Sequence, residues 1–354
     1  MTYLNYVILY CLKQINEERS IYAVFHILKG KKSSQSIQDA HIFKLQPFFL
    51  SLPKLKRSYF NQKILELESA RLIKLDETEK AAVLDAGSLL VKEHFYGESF
   101  PSRMDGLQYG DLARLFWLRL SLLVQVLSNA KKKETLYFPV QRNRQVQEWV
   151  KHALKANPDI DRFTTELHHE LYSSLTTQAT DPSILVFRLT GYDDFGWTER
   201  QVADMLKMDR EEYRFRFLNL LHGLLSEIAR ESSKFPLLYS MGVNREHSQN
   251  LTISTSKTYD LYKRGHSIEE IARIRNLKIN TIEDHIIELA LTKKDFGISP
   301  FITAQDYDDV IHAMNDMQTR RLKPIKDKLP QLSYFQIRVA IAKAGEGSGF
   351  TSGA

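Results

Sequence analysis

The feature that most constrains this chain is the spacing of helix-ending and helix-starting residues within residues 254–291, STSKTYDLYKRGHSIEEIARIRNLKINTIEDHIIELAL. Gly265 adopts the left-handed conformation that ends a helix without steric cost. Ser267, with Glu270 three residues later, forms a capping box that begins the next helix. Asn276 tolerates the left-handed conformation in the turn that follows. Three short helices joined by two tight turns predict a helix-turn-helix.

The third predicted helix of this unit carries the residues that would meet a partner. Asn280, with Glu283 three residues later, is expected to cap this helix, and Ile282 falls on its inward face. We expect the following polar residues to face outward: Lys278, Asn280, Thr281, Asp284 and Glu288. Further basic residues flank the unit: Lys257, Lys263, Arg264, Lys293 and Lys294.

Two stretches carry a resemblance to a known module, GHSIEEIARIRNLKINTIEDHI at 265–286 and FITAQDYDDVIHAMNDMQTRRLKPIKDKLPQLSYFQIRVAIAKA at 301–344. Together they resemble the helicase helix-turn-helix domain found at the C-terminus of some RecQ-type helicases. The layout of the whole chain, with about 250 residues of helical sequence before this module, resembles the YpbB-type proteins of Gram-positive bacteria, which are associated with a RecQ-like helicase. The resemblance implies a DNA-transaction protein without an ATPase.

Length and composition are those of an ordinary globular protein. The chain has 354 residues, 43% of them hydrophobic and 26% charged, which predicts two or three domains with a sizeable core. Cys11 is the single cysteine, so no internal disulfide can form and a reducing cytoplasm is expected. Because no apolar run reaches the ~18 residues that a membrane span needs, we expect a cytoplasmic protein with no membrane partner. Association with the nucleoid would fit the same location.

The net charge of +6 is unevenly distributed along the chain. Residues 1–60 hold nine Lys or Arg against three Asp or Glu, and residues 318–345 hold seven basic residues against one acidic residue. Basic ends around a balanced middle favour an acidic partner such as duplex or forked DNA. The alternative is that both ends are simply solvated surfaces.

The first 97 residues have the pattern of a winged helix. Helices are predicted at 2–16, 20–29 and 58–71, with a polar basic loop at 31–36. Two short apolar runs about a polar turn at 72–84 predict a β-hairpin, followed by another helix. This fold can serve DNA or another protein. The candidate DNA contacts in it are Lys56, Arg57 and Lys63.

A polar linker at 97–106 introduces a predicted helical domain over residues 107–231. A long helix at 111–129 is apolar almost all round and should be central and buried. Two further helices are predicted at 141–156 and 163–175.

Residues 183–231 of this domain contain a second helix-turn-helix pattern. Thr198 with Gln201 and Asp209 with Glu212 have the spacing of helix-starting caps. The stretch resembles the promoter-reading region of sigma factors, which implies a DNA-facing second helix. Its outward residues would include Arg210, Arg214 and Arg216, which can meet phosphates or guanine edges. The alternative is a helical hairpin used only for packing.

The last hundred residues are predicted to form a separate domain. A polar segment at 232–252 reads as a hinge before a domain at 253–344, and the Gly/Ser-rich tail at 345–354 should be disordered. Basic residues near the end of this domain lie beside Tyr334 and Phe335, a combination that suits nucleic acid. These candidate contacts are Arg320, Arg321, Lys323 and Lys326. The alternative is that both aromatic rings are buried in the domain core, which their apolar positions in a helical run favour for Phe335.

Motifs for catalysis are missing from the sequence. Near Gly30 and Lys31, Phe25 stands where a phosphate-binding loop needs its first glycine, and Lys32 stands where it needs Ser or Thr. Adjacent histidines such as His168 and its neighbour point to different faces of a helix, which disfavours a metal pair. We therefore expect no enzyme activity, cofactor or small-molecule substrate.

Three functions fit this sequence. The first is a DNA-binding accessory protein that acts with a RecQ-type helicase in DNA replication, recombination or repair. The second is an adaptor whose helix-turn-helix faces bind protein, including the helicase. Glu283, Asp284 and Glu288 on the last recognition helix favour the adaptor, because carboxylates are repelled by phosphates. The third, a transcriptional regulator, has neither an effector domain nor a dimerising heptad run to support it.

Overall fold

The computed structural model describes residues 1–96, 100–242, 251–293, 295–317 and 319–344. Within these residues the chain folds into eighteen α-helices and one small β-sheet, so the protein is mainly α-helical and multi-domain, as predicted. Separate apolar cores form in the N-terminal, central and C-terminal regions.

The N-terminal region has the helices and hairpin expected of a winged helix. Its elements are α1 (Tyr3–Ile15), α2 (Tyr22–Lys29), α3 (Ser34–Ile42), a 3-10 turn (Gln46–Phe48), α4 (Arg57–Ser69), β1 (Ile73–Leu75), β2 (Ala81–Val83) and α5 (Asp85–His94). The two strands pair antiparallel with Lys74 opposite Ala82. The loop predicted at 31–36 is confirmed only for residues 31–33, because Ser33 caps α3, which begins at Ser34 and buries Ile37 and Ala40.

The central region is built around one long helix. Its elements are α6 (Gly106–Lys131), α7 (Arg144–Ala156), α8 (Ile160–Thr176), α9 (Ser183–Val186), α10 (Glu199–Met205), α11 (Arg210–Arg230) and α12 (Pro236–Ser240). Within the predicted hinge at 232–252, α12 is instead part of this region, because Phe235 and Met241 are fully buried in its core. Residues 243–250 of that hinge lie outside the described residues.

The C-terminal region contains the helix-turn-helix. Its elements are α13 (Ile253–Lys263), α14 (Ile268–Arg275), α15 (Ile279–Thr292), α16 (Ala304–Asp316), α17 (Leu322–Lys328) and α18 (Tyr334–Ala344). The apolar faces of α15 and α18 share a core with Val310 and Ile325. The tail expected to be disordered, 345–354, lies outside the described residues.

Helix α11 joins the central region to the N-terminal region. The backbone N–H of Tyr3 donates to the Asp209 carboxylate at 2.6 Å. Nε of Arg214 donates to the carbonyl oxygen of Ser51, also at 2.6 Å. Phe215 is fully buried among the aromatic residues of the N-terminal core. The start of the predicted central recognition helix is therefore a packing surface.

Helix α3 joins the C-terminal region to the N-terminal region. The guanidinium of Arg338 on α18 donates to the side-chain oxygen of Gln38 at 3.0 Å. Ile42 at the end of α3 packs against the C-terminal core, and its carbonyl oxygen accepts a hydrogen bond from Arg320. The N-terminal region thus holds both helix-turn-helix units, one through α11 and one through α15 and α18.

Candidate nucleic-acid interface

The turn chemistry of the C-terminal unit is as predicted. The hydroxyl of Ser267 accepts from the N–H of Glu270 at 3.2 Å, and the Glu270 carboxylate accepts from the N–H of Ser267 at 2.9 Å. Asn276 takes the left-handed conformation with φ of 50°. Ile271 and Ile282 are fully buried between α14 and α15. These residues fix the angle at which α15 is presented.

The start of α15 differs from the prediction. Lys278 occupies the N-cap position and Ile279 begins the helix, so Asn280 is a residue of the first turn and not the cap. Lys278 and Asn280 are exposed, and Thr281 is half-buried. The first turn therefore presents one cation and two short polar side chains to solvent.

Glu288 does not face outward, and this prediction is wrong. Its side chain is fully buried, where it accepts from the hydroxyl of Thr255 at 2.7 Å and from the hydroxyl of Thr252 at 3.2 Å. Burial raises the pKa of this carboxyl, and the hydrogen bonds from the two threonines partly offset the effect. Glu288 ties α15 to the start of α13, so it cannot repel a phosphate.

The middle and end of α15 are covered by other parts of the chain. The carboxylate of Asp284 forms an ion pair with Arg338 of α18. Ile287 and Leu291 are buried and line a small gap against α3 and α18. The ion pair holds the Asp284 side chain, which is 37% exposed, and the sequence contained no signal for Arg338 as its partner.

The exposed first turn of α15 has the electrostatics of an anion site. Lys278 makes no side-chain capping hydrogen bond to the helix within the described residues. The N–H of Thr281 donates to the carbonyl oxygen of Lys278 at 2.9 Å. The N–H groups at the start of a helix and the positive end of its dipole favour a bound anion, whereas a lysine at this end is unfavourable without one. A phosphate group would satisfy both the N–H groups and Lys278.

Other cations of the same unit differ in their environments. Lys257, Arg264 and Arg273 are exposed. Lys263 pairs with Asp260 at 3.4 Å, and Lys293 lies over the ring of Tyr259 at 4.8 Å. The remaining flanking residue, Lys294, lies outside the described residues.

The candidate arginines of the central unit form ion pairs within the protein. The guanidinium of Arg210 lies 3.9 Å from the Glu199 carboxylate, as does that of Arg214. Arg216 pairs with Glu212 at 2.8 Å. A groove of about 500 Å³ brings Arg210 and Arg214 together with Lys56. A phosphate in this groove would have to compete with Glu199.

The predicted DNA contacts of the N-terminal region differ in their exposure to solvent. Lys63 is buried and pairs with Glu66 at 2.9 Å, so it is not available at the surface. Arg57 is exposed and lies over the ring of Tyr22 at 4.0 Å. The tip of the hairpin carries the exposed acidic residues Asp76, Glu77 and Glu79. An acidic wing disfavours the insertion of this hairpin into a DNA groove.

The basic C-terminal segment contains two kinds of residue. Arg320 hydrogen-bonds to α3, and the ammonium of Lys326 donates to the carbonyl oxygen of Pro330 at 2.7 Å. Arg321 and Lys323 are exposed. Of the neighbouring aromatic residues, Tyr334 is 49% exposed and Phe335 packs edge-on against Phe301. Arg320 and Lys326 thus stabilise the folded protein through hydrogen bonds to backbone carbonyl oxygens.

None of the helices in the described part of the chain combines the length and the apolar character that crossing a membrane requires.

Comparison with known proteins agrees with the geometry. Residues 254–341 match the family described as "Helix-turn-helix domain". The chain is 34% identical to Protein YpbB of Bacillus subtilis (strain 168) over 346 residues, which cover 97% of this chain and 98% of that protein. No solved structure matches this chain. The protein therefore belongs to the YpbB family and carries a C-terminal helix-turn-helix domain.

Proposed function

We propose that the protein is a non-enzymatic DNA-binding accessory protein that contacts duplex DNA through the first turn of α15 and acts with a RecQ-type helicase. The observation that carries the DNA contact is the exposed N-terminus of α15, with Lys278 at its cap. The helicase part of the proposal rests on the resemblance of residues 265–344 to the C-terminal module of such helicases. We expect the protein to act in the cytoplasm, where the nucleoid lies.

The proposed contact is mainly to phosphates. Ile287 and Leu291 are buried and Asp284 is ion-paired with Arg338, so the polar side chains that can reach base edges from the first turn are those of Asn280 and Thr281. Phosphate contacts position a protein on DNA but carry no sequence information. We therefore expect weak sequence preference and binding that falls steeply with salt.

The test is charge reversal at the cap. Lys278→Glu should weaken duplex binding about tenfold, because a carboxylate at this position repels phosphate. The melting temperature should hold or rise, since an acidic residue favours a helix N-terminus. The matched control is Lys74→Glu, the same charge change at an exposed lysine beside the acidic hairpin tip. Equal affinities for wild type and Lys278→Glu would overturn the assignment.

A second candidate function is a protein-binding adaptor. Two observations favour it. Both recognition helices already pack against protein within this chain, through Arg214 and Asp284. In addition, the segment before α10 exposes a stacked pair, Phe187 and Trp197, and leaves Phe195 84% exposed. Exposed aromatic residues of this kind are enriched at protein interfaces.

The adaptor function predicts a different phenotype. Phe195→Ala should reduce capture of a purified RecQ-type helicase while leaving duplex affinity unchanged. Lys278→Glu should reduce duplex affinity and leave helicase capture unchanged. If both variants captured the helicase as well as the wild type does, the adaptor function would lose its support.

A further inference from the structure

The loop between α6 and α7 presents apolar side chains to solvent in a strongly basic setting. Phe138 is 94% exposed and Leu136 is 90% exposed. Burying a side chain of this size stabilises a fold by about 1.5–3 kcal/mol relative to leaving it in water, so their exposure forgoes that stabilisation. Isolated exposed apolar residues are common, but this loop is also held in one shape.

Buried polar residues of α6 fix the backbone of the loop. Gln125, which is buried, donates to the carbonyl oxygen of Phe138 at 3.0 Å and accepts from the N–H of Val140 at 2.9 Å. Gln141 donates to the hydroxyl of buried Ser121 at 3.0 Å. With its carbonyl held toward α6, Phe138 projects away from the helix. A preformed display loses less conformational entropy on binding than a flexible one.

Cations lie on both sides of the loop that exposes Leu136 and Phe138. Lys131, Lys132 and Lys133 precede it, and Arg142 and Arg144 follow it, all exposed. Residues 131–144 contain one acidic side chain, Glu134, whose carboxylate accepts from the N–H of Leu136 at 2.6 Å. Arg144 also pairs with Glu148 at 3.1 Å. The local charge therefore favours an anionic ligand.

We propose that residues 131–144 form a binding platform for single-stranded nucleic acid, with Phe138 stacking on a base and the flanking lysines holding phosphates. Proteins that bind single strands without sequence preference combine a basic track with exposed aromatic rings. The platform is separate from the first turn of α15 and does not depend on duplex binding there.

An anionic membrane is the less favoured ligand. Leu136 and Phe138 project furthest, whereas Tyr137 between them is half-buried and Val140 is 40% exposed. These two side chains offer less apolar surface than a myristoyl chain, which on its own binds membranes only marginally. A base, in contrast, needs a single aromatic face.

The test measures binding of labelled oligothymidine to the full-length protein by fluorescence anisotropy. Phe138→Ala should weaken binding about tenfold or more, and Phe138→Trp should retain it. The matched control is Tyr172→Ala, which removes a ring that is 63% exposed on α8. This control should bind like wild type.

Salt dependence separates stacking from phosphate contact. Replacing Lys131, Lys132 and Lys133 by Gln should flatten the plot of log affinity against log salt by about 0.7 for each lost contact. Phe138→Ala should leave that slope unchanged. Equal losses for Phe138→Ala and Tyr172→Ala would overturn the proposal. So would loss of binding to phosphatidylserine vesicles in Phe138→Ala with unchanged affinity for oligothymidine.

Failure of this proposal can be distinguished from failure of duplex binding by α15. Lys278→Glu should weaken duplex binding and spare oligothymidine, whereas Phe138→Ala should do the reverse. The melting temperature of Phe138→Ala should match wild type, since the ring contributes almost no buried surface.

Discussion

Phe215→Ala tests whether α11 locks the central region to the N-terminal region. Phe215 is fully buried, and its ring centroid lies 5.5 Å from that of Tyr3 and 6.1 Å from that of Phe48. Removing the ring loses its transfer free energy and leaves a cavity between the two regions. Together these effects cost about 3–5 kcal/mol for a buried Phe.

The consequence should appear in hydrogen exchange. A loss of 3–5 kcal/mol in the contact should speed exchange of α1 amides by about 10²- to 4 × 10³-fold, since each 1.4 kcal/mol is a factor of about ten. Phe217→Ala is the matched control, because Phe217 lies two residues further along α11 but packs into the central core. It should speed exchange in the central region and leave α1 protected. If Phe215→Ala left α1 exchange unchanged, the packing argument would fail.

Two further predictions concern buried groups. Ile282→Asp places a carboxylate in the small core between α14 and α15 and should destabilise the C-terminal domain by about 3 kcal/mol. Hydrogen exchange in α1 should stay slow in that variant, and collapse of the whole chain in one transition would contradict the domain boundary. Burial lowers the pKa of His222 to about 4, so the folded protein keeps it neutral while the unfolded chain takes up a proton below about pH 6.5. Because only the unfolded chain binds this proton between about pH 6.5 and about pH 4, the free energy of unfolding falls by roughly 3 kcal/mol as the pH drops through that window. His222→Asn should flatten denaturant-measured stability over that window, and an unchanged pH profile would refute the assignment.

Local chemistry made part of the interface predictable. The capping box of Ser267 and Glu270 and the left-handed Asn276 depend on residues within a few positions of one another, and the structure contains both. The inward position of Ile282 follows from helical spacing and is also confirmed. Such features can be read from sequence because the interacting groups share one turn.

Distant contacts could not be predicted in the same way. Helical spacing placed Glu288 on the outside, but Thr252 and Thr255 of α13 enclose it. Arg214 was expected to face DNA, yet its partner, Ser51, is 163 residues away in sequence. A single sequence does not distinguish an exposed arginine from one that bonds to another domain. The tertiary packing alone decides which neighbour such a long side chain contacts.

We propose that phosphate contacts of the C-terminal helix-turn-helix, centred on the first turn of α15, hold duplex DNA. If four exposed cations of this unit, Lys257, Arg264, Arg273 and Lys278, each contact one phosphate, the expected slope of log affinity against log salt is about −3.6. Between about 50 and 200 mM salt, affinity should therefore fall about 10²-fold. The direct measurement is this slope for two duplexes of unrelated sequence. We expect parallel lines with dissociation constants within about fivefold of each other. A flat line, or one sequence bound about 10³-fold more tightly than the other, would contradict it.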